Sequence, residues 1–276
     1  MISIKDYIRI KKEELKIRIK NLGNHTPILT ILQIGNDSSS DSYIKGIKKD
    51  CEELGIVFDY IFIKDDKNLT DIEMVQKVYS ILPNRETDGI IIQKPIPKRI
   101  DESLIKFSVD MNKDIDNCLG YDIFNSCTPK GLIDYLKFNN YKFDDKIACV
   151  IGRSNTIGKP LAKMLLELNA TVCVCHSKTS INNLTTLIDE SDIIFTCINQ
   201  IEYFTEDYFR SYHDIIDFGI GLGSDGKIHG NLTSECVRWH TSKNSNRLII
   251  SGAGGTGLLT RIALLDNLIL SAEREN

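Results

Sequence analysis

The stretch that decides the fold of the second half of this chain reads Val150-Ile151-Gly152-Arg153-Ser154-Asn155-Thr156-Ile157-Gly158-Lys159-Pro160. An apolar run from Ile147 ends at Gly152, and after Gly158 leucines and a methionine recur at helical spacing. This order predicts a buried strand, a glycine turn and a helix, which place backbone N–H groups and a helix N-terminus where a phosphate can bind. The spacing differs from the usual three-glycine fingerprint, so the pattern alone leaves an ordinary strand-to-helix turn as an alternative.

A second apolar strand is predicted about twenty residues further on, where a dinucleotide-binding fold contacts the adenosine ribose. It runs from Ala170 to Cys175 and ends in His176-Ser177-Lys178-Thr179. His176 can equally be a structural residue that closes the strand.

Helical and strand patterns alternate along the whole chain. The periodicity predicts helices at residues 4–22, 38–54, 71–82, 128–138, 181–189 and 257–272, with further strands at 27–34, 56–63, 88–93, 192–198, 215–218 and 248–250. Parallel strands joined by helical crossovers form sheets that are covered on both faces. The predicted fold class is therefore α/β, with two α/β domains, the second a Rossmann-like doubly wound parallel sheet. A cleft between the domains is the expected place of a small-molecule site.

Composition is that of an ordinary globular protein and excludes several classes of function. The 276 residues are 42% hydrophobic and 26% charged, and the net charge of −4 argues against a nucleic-acid partner. No apolar run approaches the length of a membrane span, and the charged N-terminus is unlike a signal peptide. The eight cysteines lack metal-binding spacing and fit buried thiols. We therefore expect a cytoplasmic protein that binds neither membrane nor metal.

Several short motifs follow one another in a fixed order. They are Ile34-Gly35-Asn36-Asp37 running to Ser40, Ser42 and Tyr43; Asp88-Gly89 to Gln93 with Pro95; Lys113-Asp114-Ile115-Asp116; Cys127-Thr128-Pro129-Lys130-Gly131; Gly152-Arg153-Ser154; Asn169-Ala170-Thr171-Val172 with Cys175 to Thr179; and Asp217-Phe218-Gly219-Ile220. With them the chain resembles the methylenetetrahydrofolate dehydrogenase/cyclohydrolase family of one-carbon metabolism over nearly its whole length.

The resemblance implies a function for each domain. Residues 1–120 and 257–276 would bind tetrahydrofolate, residues 121–256 would bind the nicotinamide cofactor, and the protein would be a homodimer. The implied folate-site residues are Tyr43, Gln93 and Asp116. The implied cofactor residues are Gly152, Arg153, Ser154, Ile157, Gly158, His176, Ser177 and Ile220. Among them, Arg153 and Ser177 match positions that hold a 2′-phosphate, which favours NADP over NAD.

The chain departs from the family pattern around the implied folate pocket. Ile47 stands where the family has its catalytic lysine, four residues after Tyr43, and Lys48 and Lys94 are the candidate substitutes. The loop from Ala253 to Leu258 has lost both family prolines, Asn117 replaces a glycine, and Asn199 replaces a glycine near the cofactor. Asn tolerates a positive φ, so the change at 117 is mild.

Three functions stay open on this sequence. The leading one is an oxidoreductase that converts methylenetetrahydrofolate to methenyltetrahydrofolate with NADP, with the hydrolysis of the methenyl product in doubt because of Ile47. The others are a catalytically silent paralogue that binds nucleotide and folate, and an enzyme that acts on an altered substrate. Without the resemblance, Asp116 would be interpreted as a solvated loop carboxylate.

Overall fold

A computed structural model describes residues 1–82, 86–210, 212–243, 247–252 and 255–275, without the side chains of Ser38, Ser39 and Lys243. The chain divides into two compact units. The first unit comprises Lys5–Cys127 and Arg261–Asn276, and the second comprises Met1–Ile4 and Thr128–Thr260. No helix within the described ranges is long and apolar enough to cross a membrane.

The first unit is built on a parallel sheet of three described strands. Its elements are α1 (Ile4–Asn21), β1 (Ile28–Ile34), α2 (Ser38–Leu54), β2 (Val57–Ile63), α3 (Asp71–Ile81), β3 (Gly89–Gln93) and α4 (Glu102–Lys106), with most of α9 (Thr256–Glu275). The strand order is β2-β1-β3. Leu32 and Ile92 are register partners on adjacent strands and belong to a core that includes Met74 of α3. Because β1 and β3 are parallel and paired, Gly35 after β1 and Gln93 at the end of β3 lie at the same edge of the sheet.

The second unit is built on a larger parallel sheet, with order β10-β7-β6-β4-β5 among its described strands. Its elements are α5 (Cys127–Phe138), β4 (Ile147–Ile151), α6 (Gly158–Glu167), β5 (Thr171–Cys175), α7 (Ile181–Asp189), β6 (Ile193–Thr196), β7 (Asp214–Asp217), the short pair β8 (Gly221–Leu222) and β9 (Ile228–His229), α8 (Ser234–Lys243) and β10 (Ile249–Ile250). From β4 the chain passes first to β5 on one side and then to β6 on the other. This reversal is a topological switch point, and it lies beside Gly152.

Three helices and the short strand pair β8 and β9 differ from the pattern in the sequence. Helix α5 begins at Cys127, one residue before its predicted start, so Thr128 and Pro129 lie inside its first turn. The pattern missed α4, which has only one buried residue, and α8, whose apolar residues are too few to reveal a helical period.

Candidate functional site

The glycine turn after β4 needs both of its glycines. Gly152 has a φ of +136°, and a Cβ there would lie 2.3 Å from the carbonyl oxygen of Cys197. A Cβ on Gly158 would lie 2.2 Å from the carbonyl oxygen of Gly152. The end of β4 therefore passes directly beside the end of β6, and α6 begins directly against the turn. This close approach leaves a backbone cradle of the type that receives a pyrophosphate.

Ser154 shapes the cradle from within. Its Oγ accepts hydrogen bonds from the amides of Ile157 at 3.1 Å and Gly158 at 3.3 Å, so the hydroxyl caps the start of α6. Arg153 precedes it and is exposed. The structure thus places five predicted cofactor residues in one turn, where the exposed guanidinium of Arg153 can meet an anion.

A cavity of about 420 Å³ opens where β4, β5 and β6 end. His176 and Ser177 line it, as does Asn199 after β6. His176 Nδ1 accepts from the amide of Lys178 at 3.2 Å, so the strand-end turn fixes this ring. The predicted residues His176 and Ser177 are therefore brought to one cavity. Sequence reasoning missed its aromatic wall, Tyr203 and Phe204, because they belong to a loop without a motif.

The Asp217 motif anchors the loop that follows β7. The fully buried carboxylate of Asp217 accepts from the amides of Gly219 at 2.7 Å, Asn231 at 3.0 Å and Leu232 at 3.1 Å. Burial raises the pKa of this carboxyl, while these bonds act in the opposite direction. Ile220 follows on the loop and is 55% exposed, outside the wall of the 420 Å³ cavity. Its predicted contact with the cofactor remains a prediction.

In the first unit, Asp116 lies close enough to Tyr43 for its charge to act on the phenol. Tyr43 is half-buried on α2, and burial, followed by the charge of Asp116, raises the pKa of its phenol. Burial raises the pKa of Asp116 to about 6; hydrogen bonds from Cys127 lower it, and the charge of Asp114 adds to the rise. The carboxyl is therefore mostly ionised at neutral pH and can accept hydrogen bonds.

The loop around Asp116 is fixed by the residues on either side of it. The carboxylate of Asp114 accepts from the amides of Cys118 at 2.9 Å and Leu119 at 2.7 Å. Asn117 adopts a φ of +52°, which agrees with the prediction that asparagine can stand for the family glycine here. The backbone thus presents Asp116 without requiring glycine at 117.

Gln93 closes β3 at the edge of the first unit's sheet. Its Nε2 donates to the carbonyl oxygen of Lys94 at 2.8 Å and to Ser40 Oγ at 3.3 Å. Ser40 Oγ in turn donates to the Lys94 carbonyl at 3.1 Å, and Ser40 is 3% exposed. Ser40 therefore ties the first turn of α2 to the end of β3, where Gln93 is held.

Neither candidate substitute for the family lysine occupies its place. Ile47 is 0% exposed, and α2 continues without interruption through it. Lys48 is exposed and borders a surface depression lined by Phe58 and Tyr60. Lys94 pairs with Glu102 at 2.7 Å, although its charge still lowers the pKa of Asp116. Helix α2 runs unbroken from Ser38 to Leu54, so Lys48 stays on its exposed side.

Arg261, which belongs to α9, places a cation against α2 that no sequence motif indicated. The guanidinium of Arg261, from α9, packs against Gly46, and its Nε donates to Asp50 at 2.7 Å. The contact joins residues more than 200 positions apart, and no local pattern signals it. The altered glycine-rich loop is only partly described: Ala253 and Gly254 lie outside the described residues.

The glycine turn at a switch point, with a cavity at the neighbouring strand ends, defines the second unit as a dinucleotide-binding α/β domain. Residues 126–276 match the tetrahydrofolate dehydrogenase/cyclohydrolase NAD(P)-binding domain, and residues 2–116 match the catalytic domain of the same family. The chain therefore belongs to the tetrahydrofolate dehydrogenase/cyclohydrolase family, which confirms the resemblance and the α/β class with two domains.

Individual relatives match over nearly their full length. The bifunctional protein FolD of Bacillus subtilis (strain 168) is 32% identical, over 99% of this chain and 98% of its own. The crystal structure of FolD from Campylobacter jejuni is 30% identical with a TM-score of 0.87, covering 99% of this chain and 98% of the other. The Trypanosoma brucei enzyme, complexed with NADP and an inhibitor, shares the fold at 20% identity, with a TM-score of 0.86 and coverage of 100% and 97%.

Proposed function

We propose that this protein oxidises 5,10-methylenetetrahydrofolate to 5,10-methenyltetrahydrofolate with hydride transfer to NADP, and that it hydrolyses the methenyl product only slowly. The observation that carries the proposal is the pair Tyr43 and Asp116 in the family's catalytic domain. A carboxyl with a pKa of about 6 is ionised at neutral pH and suits the N–H groups of a pterin ring. The first unit would bind the folate and the second unit the cofactor.

The oxidation requires little acid–base chemistry from the protein's side chains. A hydride leaves the methylene carbon with both bonding electrons, and the bridge becomes a cationic methenyl group. NADP, when bound, supplies the carbon that accepts the hydride. The side chains of this chain therefore bind and orient: Asp116 would fix the pterin, Tyr43 would stack on or bond it, and Gln93 would contact it from the end of β3.

The residues of the second unit fit a phosphorylated dinucleotide. Gly152 and Gly158 carry no Cβ, and a Cβ at either position would clash with the backbone that forms the cradle. His176 and Ser177 line the cavity where the adenosine ribose is expected, and Arg153 is exposed beside the cradle. Together they supply a hydroxyl and a guanidinium for a 2′-phosphate.

The direct test is to incubate the purified protein with methylenetetrahydrofolate and NADP, or NAD, and to follow absorbance of the reduced cofactor. We expect NADPH to form, with a clear preference for NADP. If neither cofactor is reduced while both ligands bind, the protein is the silent paralogue. If NADP binds but tetrahydrofolate does not, and no reduction occurs, an altered substrate becomes the better interpretation.

Replacing Arg153 with Ala is expected to weaken NADP binding by about 10- to 100-fold, which is the size of a charge-assisted hydrogen bond. The affinity for NAD should change little, because NAD lacks the 2′-phosphate. Titration of both cofactors by calorimetry measures the difference. Arg210→Ala, which removes another exposed arginine of the second unit, is the matched control. Equal losses for NADP and NAD would contradict the role of Arg153.

We also propose that the protein works in the cytoplasm as a homodimer. The cysteines at positions 51, 118, 149, 173, 175, 197 and 236 are free thiols, as expected in a reducing compartment. The dimer rests on the family resemblance. Light scattering coupled to size exclusion should give twice the mass of one chain, and a monomer at micromolar concentration would contradict it.

A further inference from the structure

Arg261 of α9 packs against α2, in a space that is open only because residue 46 is glycine. A Cβ at Gly46 would lie 2.1 Å from Nη1 of Arg261 and 2.9 Å from its Cζ. Glycine in the interior of a helix is destabilising relative to alanine, because it increases the entropy lost on folding. The chain nevertheless has glycine at this position of α2, and the guanidinium fills the place of the missing side chain.

The guanidinium is held in place by a buried carboxylate. Arg261 Nε donates to Asp50 Oδ2 at 2.7 Å, and Lys12 Nζ donates to the other oxygen, Oδ1, at 2.7 Å. Asp50 is 4% exposed, and the side chain of Arg261 is 22% exposed. Gly46 and Asp50 are four residues apart on one face of α2. The residue that the guanidinium packs against and the carboxylate that binds it are therefore neighbours on the helix surface.

The same helix face carries Tyr43, three residues before Gly46. Residues three apart on a helix are neighbours, so Tyr43 and the guanidinium seated on Gly46 share one face of α2. Its charge lowers the pKa of Tyr43, against the raising effects of burial and of Asp116. Arg261 therefore acts on the phenol that the family resemblance assigns to the folate site.

We propose that Arg261 is a positioning residue of the folate site: its fixed guanidinium, seated on Gly46 and anchored by Asp50, strengthens Tyr43 as a hydrogen-bond donor to the bound folate. The inference rests on the proposed function, because it needs Tyr43 to contact the substrate. A guanidinium stays protonated, so Arg261 supplies positive charge at this face without serving as the general base that the family lysine provides. Ile47 alone would indicate that the folate site has lost the positive charge of the family lysine.

The decisive experiment is a double-mutant cycle between Arg261 and Tyr43. Turnover of methylenetetrahydrofolate with NADP, and the affinity for tetrahydrofolate by calorimetry, are measured for the native protein, Arg261→Met, Tyr43→Phe and the double variant. If Arg261 acts through Tyr43, the effect of Tyr43→Phe shrinks by about 3- to 100-fold in the Arg261→Met background, the range for directly coupled residues. Additive effects would overturn the inference, because a structural role for Arg261 leaves the effect of Tyr43→Phe unchanged.

Two further variants separate charge from folding. Arg261→Lys keeps a cation near Tyr43 and should recover part of the loss seen in Arg261→Met. Gly46→Ala adds a Cβ against the end of the Arg261 side chain and improves the helix propensity of α2, so it should displace the guanidinium without unfolding the protein. It should mimic Arg261→Met in the same assays. Full activity in Gly46→Ala with the guanidinium displaced would contradict the inference.

The matched control is Arg18→Met. Arg18 pairs with Glu273 of α9 at 2.7 Å, and its side chain is 24% exposed, close to the value for Arg261. Its loss should leave the effect of Tyr43→Phe intact. If the native protein turns over substrate but the cycle is additive, the inference alone fails. If the native protein neither turns over methylenetetrahydrofolate nor binds tetrahydrofolate, the proposed function fails and the inference with it.

Discussion

Hydrolysis of methenyltetrahydrofolate by the native protein is expected to be slower, by about 10²–10⁴-fold, than hydrolysis by relatives that carry the family lysine. That range is the usual contribution of a positioned general acid or base. Ile47 is 0% exposed on an unbroken helix, and an isoleucine neither accepts nor gives a proton. Lys48 and Lys94 are directed elsewhere, and the guanidinium of Arg261 does not release its proton. Stopped-flow loss of the methenyl absorbance measures the rate.

Ile47→Lys is expected to raise this hydrolysis by at least about 100-fold. The new ammonium would stand beside Tyr43 and near Arg261, and both the burial and the like charge would lower its pKa towards the range of a useful base. Ile47→Met is the matched control, because it gives a chain of similar length without a charge. Dehydrogenase turnover and the thermal midpoint of both variants show whether the pocket has kept its fold.

Two results would overturn this account of position 47. Robust native hydrolysis that Ile47→Lys fails to raise would mean that another residue does the proton transfer. Lys94→Met would then be the next variant, because the charge of Lys94 reaches Asp116. An equal gain in Ile47→Met would mean that pocket shape, rather than a missing base, limits the reaction.

The second unit could be predicted largely from local patterns. The change from an apolar run to helical spacing at Gly152 is visible in the sequence, and the structure shows why glycine is needed there: the carbonyl of Cys197 stands 2.3 Å from where a Cβ would be. That carbonyl belongs to another strand, so the sequence identified the turn without identifying its cause. Helix α8 was missed because its mostly polar residues show no helical period of apolar positions.

The folate site was predictable only where a motif covers it. Asp116 was found by resemblance, because a carboxylate after a short loop carries no local signal of burial. The contact of Gly46 with Arg261 was not found, because it joins two helices that are distant in the chain. A glycine inside an otherwise regular helix was the one available clue. Such a residue usually marks the close approach of another group.

Asp116 is expected to make folate binding depend on pH in a defined direction. Its pKa in the folded protein is raised to about 6, so the carboxylate that accepts pterin N–H bonds is present above that pH and is lost below it. The affinity for tetrahydrofolate should therefore be constant above about pH 7 and fall about tenfold for each unit below pH 6. Calorimetric titrations between pH 5 and pH 8, a range chosen about this pKa, measure the slope.

Asp116→Asn should weaken tetrahydrofolate binding by about 30-fold or more at neutral pH and abolish this pH dependence, because a hydrogen-bonded charge is removed from the contact. The loss would not come from unfolding. A carboxyl whose folded pKa is raised binds more protons in the native state, so the stability it contributes falls as pH rises from about 4 to 6. At pH 7 the variant should be at least as stable as the native protein. Asp110→Asn, at an exposed helix cap where asparagine also serves, is the control in the same loop. An unchanged affinity in Asp116→Asn, or a pH slope that persists in it, would assign the folate contact to another residue.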